Sequence, residues 1–428
     1  MDIKNAEYML NCTNMPSRLT ALRTIKQEID NGNISLAPCG TNVNNHIHTI
    51  YSFSPYSPAA AVWEAKKAGL ATAGIMDHDS ISGAEEFLEA AQIMNIGATI
   101  GIEIRVKMNE TPFNGRLLNN PDQHSIAYMG IHSIPHSMIS QTKDFLKPIG
   151  AARKIRNQKM TARLNEIFAP YGISMDYEKD IEAISQYSEG GSVTERHILF
   201  ALARKIMEKY TPGEELISFM TNTLGIALSA KQIEFLSDTG YKYYDYDLLN
   251  ILKGVFVSRF YIDATDECVS VFEAVDFAKS IGAISAYAYL GDVTASVTGD
   301  KKAQTFEDSY LDELVEYLAD IKFNAITYMP ARNTMDQLIR LRSLCDKHNL
   351  FQISGEDINQ PRQKFLCPII DEPMFANLKD AAWALIGNEN EATKDIDLSM
   401  FSAQSAWENP NIKDRVAKYS ELGRLYIK

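Results

Sequence analysis

A chain of 428 residues with 45% hydrophobic and 23% charged side chains can bury a large core and has the composition of an ordinary globular protein. Its net charge of −13 argues against non-specific binding of duplex nucleic acid, which leaves a basic footprint. Five cysteines without a CxxC pair fit reduced thiols rather than a disulfide frame. The first residues have no apolar h-region, and no apolar run approaches the ~20 residues that span a bilayer, so a cytoplasmic protein with no membrane partner is expected.

Residues 3–31 read as helices broken near Thr13-Asn14-Met15-Pro16-Ser17, with Leu19, Leu22, Ile25 and Ile29 in a stripe that packs on the main domain. A loop with Gly32, Pro38 and Gly40 leads to a strand carrying Asn45-His46-Ile47-His48-Thr49. On a strand, residues i and i+2 share a face, so His46 and His48 can meet one ion without bending the chain. Ser57 and Pro58 suit the N-cap and first position of a helix running to Gly69. Residues 71–76 form a short buried strand that ends in Asp77-His78-Asp79. Ser82-Gly83-Ala84-Glu85 fits a capping box for a helix through Met94, stopped at Gly97. A third strand over 98–104 carries Glu103. Three apolar runs thus each end in groups that bind hard or borderline divalent ions. In α/β sheets, sites collect at the C-terminal ends of the strands.

After a loop-rich excursion over 107–123, a fourth strand covers 125–131, with His124 before it and His132 after it. Such a strand spans about 26 Å, so both histidines cannot reach one site. A parallel strand puts His132 at the active end; His124 stays as the alternative. His136, beside Pro135, reads as a loop residue. Residues 140–265 are mostly helical. There Thr194 can cap a helix that presents Arg196 and His197. A helix over 268–280, a strand over 281–289, a helix over 310–319, a strand over 324–329 and a helix over 335–348 follow. Arg332 lies in the loop between the last two, and Phe351 opens a final run reaching Glu356-Asp357-Ile358-Asn359. Residues 370–428 read as a helical tail.

The runs His46-Ile47-His48-Thr49, Met76-Asp77-His78-Asp79 and Gly101-Ile102-Glu103 resemble the HxHTxxS, DHD and GxE patterns of the PHP domain, the polymerase and histidinol phosphatase family. The resemblance implies an α/β fold, a distorted (β/α)7 barrel with a mainly helical insertion. It divides the chain into an N-terminal helical extension (1–40), barrel parts at 41–139 and 268–368, an insertion at 140–267 and a C-terminal helical tail (369–428). It also implies one to three divalent ions (manganese, zinc or iron). His46, His48, Glu103 and Asp357 would hold the first. Glu103 would bridge to a second, which needs His132 and a histidine from an AHP motif, where this chain has Tyr289 and Leu290. A third would take the position of Phe53 or Ser54, His78, and the last residue of a DxH motif, here Asn359. His124-Ser-Ile-Ala-Tyr128 also resembles a run found in some relatives.

In this reading Asp77 and Asp79 serve catalysis by orienting a histidine. Arg196, His197, Arg332 and Asn359 bind substrate, and Arg362 is a further cation near the last segment. The expected activity is hydrolysis of a small phosphorylated metabolite or nucleotide through metal-activated water. The losses at Tyr289 and Asn359 keep a second expectation open, a degenerate domain that binds metal or ligand with little turnover. The oligomeric state is left open.

Overall fold

The computed structural model describes residues 2–12, 14–292 and 305–427. Among them, eight strands form one sheet. They are β1 (Val43–Ile47), β2 (Thr72–His78), β3 (Gly97–Lys107), β4 (Ile126–His132), β5 (Val269–Ser270), β6 (Ile284–Tyr289), β7 (Ala325–Tyr328) and β8 (Phe351–Ser354). Their order is β1-β2-β3-β4-β6-β7-β8, with the short β5 on β3. Strands such as β2 and β3 are almost continuously buried, as strands covered by helices must be. The sheet curls until its edges meet: Ile47 forms a parallel bridge with Ile358, just after β8. The bridge is made by the His48 amide on the Ile358 carbonyl (2.9 Å) and the Ile358 amide on the His46 carbonyl (3.0 Å).

β1, β2 and β3 run parallel, as do β6, β7 and β8. The expected parallel course of the fourth strand is wrong: β4 is antiparallel to both β3 and β6. A parallel neighbour needs a crossover, usually a helix, whereas residues 108–125 contain none and turn back directly, closing with the Met108 amide on the Ser125 carbonyl.

Local capping follows the sequence at Ser57, whose Oγ accepts from the Ala60 amide, with Pro58 in the first turn. It departs at Ser82. Gly83 caps the next helix without a side-chain bond, and Asn95, in the left-handed region at φ 50°, ends it. Gly97, expected as the stop, instead opens β3.

The N-terminal helices place Leu19, Leu22 and Ile25 in the same apolar core as the sheet. The buried Arg18 clamps Glu86 with two guanidinium bonds (2.9 and 2.5 Å). Thr13, at the break between these helices, lies outside the described residues. Between β4 and β5 the chain is helical, chiefly Ile139–Phe168, Glu195–Lys209 and Tyr244–Phe260. This insertion has its own apolar cluster, into which the sheet domain sends Phe53. No described helix is long and apolar enough to cross a membrane.

The segment read as a tail is part of the body. Helix Ala376–Lys394 crosses Ile412–Leu425 so closely that a Cβ on Gly387 would overlap the Tyr419 carbonyl, and one on Gly423 the Trp383 carbonyl. The same helix sends Glu389, fully buried, into the start of β3. Its Oε2 accepts from Thr99 Oγ1 and the Ile100 amide, both at 2.8 Å. Its Oε1 lies 2.8 Å from His136 Nε2. His136, expected as a plain loop residue, is therefore the counter-charge of a buried carboxylate.

Burial disfavours the charged imidazole of His136, but the bond to Glu389 and its charge outweigh this and raise the pKa. A raised folded-state pKa gives stability that is whole below the unfolded value of about 6.5 and fades as pH climbs through the folded value. Urea unfolding should show a larger stability gap between the natural protein and His136→Ala at pH 6 than at pH 9. Equal gaps at both would mean the pair carries no pH-dependent stability.

Candidate metal centre

The C-terminal ends of β1, β2, β3 and β8 bring their polar residues together. His48 is 1% exposed. Its Nδ1 lies 3.2 Å from Ser52 Oγ, and that hydroxyl donates to Asp77 Oδ1 at 2.6 Å. Because the hydroxyl proton goes to Asp77, Ser52 accepts from His48, and the imidazole proton sits on Nδ1. The Nε2 lone pair then points at His46 Nε2 (3.2 Å) and Asp357 Oδ1 (3.2 Å). Lone pairs converging on one spot repel unless a cation or proton lies among them. The His46, His48 and Glu103 ligand atoms all lie within 4.8 Å of one another. These donors fit a divalent ion of borderline hardness.

Glu103 joins from β3, its Oε2 2.9 Å from His78 Nδ1 and 3.8 Å from His46 Nε2. Burial favours the neutral acid, but the charges of His78 and His46 overcome it and hold the carboxyl well below the usual range. Asp357 is lowered too, its desolvation outweighed by the neighbouring imidazoles of His48 and His46. For His46 the cost of burial is outweighed by Glu103, so its pKa rises; for His48 burial and the charge of His78 lower it. The centre is thus two carboxylates held ionised among three imidazoles.

His132 reaches this layer by a route other than the expected one. In the antiparallel β4, Gly130 pairs with Glu103. The His132 ring folds back over Gly130, where a Cβ would come within 2.8 Å of its Nε2. That Nε2 is buried without a hydrogen-bond partner among the described residues. Burial, and next the charge of His46, push the ring down to about 3, so it is neutral. The alternative, His124, is exposed in the turn before β4, on the far side of the Lys107–Ile126 pair.

Several expected site residues face elsewhere. Asp77 accepts the Thr49 amide (2.7 Å), Thr49 Oγ1 (2.6 Å) and Ser52 Oγ, so it shapes the loop after β1 and orients His48 through Ser52. Asp79, with φ 50°, is buried in an ion pair with Arg153 of the insertion. Of the two, Asp77 is thus linked to a histidine of the centre and Asp79 to Arg153. His197 does not face the centre: its Nδ1 accepts the Thr194 amide at 3.0 Å in a capping box, its ring meets Phe53 edge-on, and burial pushes it down to about 3.

Phe53, which with Ser54 is a candidate for a family ligand position, takes φ 130° and packs among insertion side chains including Phe200 and Tyr246. That backbone is strained for a residue with a Cβ. Tyr289 donates to Asp308 Oδ1 at 2.6 Å, and burial together with that carboxylate raises its pKa, so the phenol stays protonated. Asn359 Nδ2 donates to Asp357 Oδ1 (2.6 Å), while its Oδ1 accepts from Arg196 Nη1 (2.8 Å). Arg332 lies half-buried in the turn after β7. Arg362 is paired with Asp247 and so is not a free cation for the centre.

Residues 44–226 match the family model of the PHP domain. That stretch, a little under half of the chain, is what is similar to a PHP domain. The match spans β1 to β4 and runs into the insertion, so Asp357 and Asn359 lie beyond it and are tied to the centre by the distances above. Among solved structures, the chain is similar to one assigned as a metal-dependent phosphoesterase from Bifidobacterium adolescentis, at 18% identity, covering 77% of this chain and 94% of that one, with a TM-score of 0.48. It is also similar to an amidohydrolase from Chromobacterium violaceum with bound sulfate and no metal, at 16% identity, covering 79% of this chain and 96% of that one, with a TM-score of 0.50. The latter supports the likeness of fold. No curated protein matches the chain significantly.

Ser52 and Arg153 were not singled out from sequence. Ser52 stands in the HxHTxxS run and was readable as a histidine partner, whereas nothing in a helical arginine announces a carboxylate on another element. If Ser52 and Asp77 orient His48, Asp77→Asn turns an amide donor toward three donors and loosens the loop. Titration of the apo protein with Zn2+ against a chromogenic chelator should show affinity about 10–100-fold weaker, the usual cost of losing a ligand's hydrogen-bonded support. Unchanged affinity would remove the relay from the account.

Proposed function

We propose that the protein is a metal-dependent phosphoester hydrolase with one resident divalent ion, acting on a small phosphorylated metabolite or nucleotide. The observation that carries this reading is the convergence of His46, His48, Glu103 and Asp357 beside an arginine, Arg196, already bonded into the same network. A divalent ion held there supplies Lewis-acid polarisation of a phosphoryl oxygen and lowers the pKa of a bound water towards neutrality.

The chain's own residues do the rest. Glu103 and Asp357 bring negative charge to the ion, and Ser52 with Asp77 keeps His48 in its binding tautomer. Arg196 receives phosphate oxygens, its guanidinium steered by Asn359. His78, hydrogen-bonded to Glu103 and 28% exposed, is the imidazole open to solvent that can pass a proton at the reacting centre. The net charge of −13 favours a compact anion held in one basic spot over a long duplex. A cytosolic setting fits the unpaired cysteines.

A second reading has its own support. Tyr289 bound to Asp308, Asn359 bound to Arg196 and Phe53 turned into the insertion leave family ligand positions without ligands. They favour a domain that holds one ion and a ligand with little turnover.

The two readings separate in one assay. Protein loaded with manganese, zinc or iron is screened against phosphomonoesters and nucleotides for released phosphate. The first predicts hydrolysis that a chelator and His46→Ala abolish. Arg196→Ala should raise KM about 10–100-fold, the worth of a charge-assisted bond or two. Ion binding with no ester hydrolysed would favour the second.

A further inference from the structure

The segment that carries Asp357 is held from two sides. On the sheet side, the Ile47–Ile358 bridge fastens it to β1 between the two histidines of the centre. On the insertion side it is bonded three times. Arg196 reaches Asn359 (2.8 Å), Asn250 Nδ2 reaches Gln360 Oε1 (2.7 Å), and Arg362 makes a two-pronged pair with Asp247 (2.8 Å for each prong). Asp247 is 4% exposed, so its carboxylate is committed to this partner. The guanidinium of Arg362 lies between the rings of Phe235 and Tyr241, 4.0 and 4.1 Å from their centroids. A bidentate pair between two aromatic faces is a fixed geometry that lysine could not reproduce.

The next residue transmits that fixed point. Gln363 Oε1 accepts from the amides of Asn359 (2.7 Å) and Gln360 (2.8 Å), and its Nε2 donates to the Asp357 carbonyl (2.7 Å). One side-chain amide therefore gathers the backbone on and after the ligand. Asp357 needs this support: its side chain is 42% exposed, and it accepts a side-chain hydrogen bond from Asn359.

We propose that Asp247 and Arg362, acting through Gln363, are positioning residues that set the place of Asp357 and hence the affinity of the centre for its ion. The insertion then serves as the clamp of a metal ligand. The inference rests on Asp357 being a ligand of that ion.

The test is calorimetric titration of the full-length protein with Mn2+, with circular dichroism and thermal melting of the apo forms alongside. Asp357→Asn checks the ligand reading itself and should weaken Mn2+ binding. Arg362→Ala and Gln363→Met should each weaken it about 10–100-fold while the apo protein stays folded. Placed in the Asp357→Asn background, neither should weaken it further, because both act through that carboxylate. A merely structural role would instead lower apo stability and leave Mn2+ affinity alone. Should Arg362→Ala fail to fold, Asp247→Asn, which keeps the side chain's shape, takes its place. Wild-type affinity in the Arg362 (or Asp247) and Gln363 variants, with Asp357→Asn impaired, overturns the clamp and spares the ligand. Wild-type affinity in Asp357→Asn overturns both.

Discussion

The proton on His48 Nδ1 is the constraint on which the rest of the centre depends. Ser52 can accept it because the Ser52 hydroxyl is itself donated to Asp77, and Asp77 is fixed by the Thr49 amide and hydroxyl. With that proton placed, His48 Nε2 has a lone pair to offer, and the imidazole of His46 and the carboxylate of Asp357 face it at bonding distance. Were the proton on the other nitrogen, His48 would donate into the middle of the cluster and a cation would be repelled. A buried seryl–aspartyl relay two shells from any substrate thus decides whether the strand ends form a cation site.

The sheet delivers these groups because parallel strands end together. β1 and β2 bring His46 and His78, β3 brings Glu103, and the Ile47–Ile358 bridge closes the curl where His48 and Asp357 meet. β4 breaks the pattern without costing the layer its histidine. Its reversed course sets Gly130 opposite Glu103, and the missing side chain leaves room for the His132 ring. The insertion is joined to the same layer through Phe53, Arg153, Arg196 and Arg362. The insertion and the layer of strand ends are therefore one connected body.

What was legible in the sequence was short-range. The i, i+2 spacing of His46 and His48 and the strand–helix rhythm around Glu103 follow from local periodicity. So does Ser57 at a helix start. What was not legible was long-range pairing. The direction of β4 turned on the absence of a helix in residues 108–125, a signal present in the sequence but outweighed by the parallel strands before it. That Asn359 would bond Arg196 depends on which face the insertion presents. The role of Glu389 needed the C-terminal helix laid against β3, which no window of sequence contains. At Phe53 local preference was overridden outright: a φ of 130° is disfavoured for phenylalanine and is held there by an aromatic cluster from another part of the chain.

The central claim is a centre built for one ion, with Phe53, Tyr289 and Asn359 given over to hydrogen bonds and packing. The most direct measurement is metal content per chain, by mass spectrometry, after incubation with excess manganese, zinc and iron and exhaustive dialysis. The account predicts one tightly held ion. Two or more would contradict it, and no retained ion would deny the centre altogether.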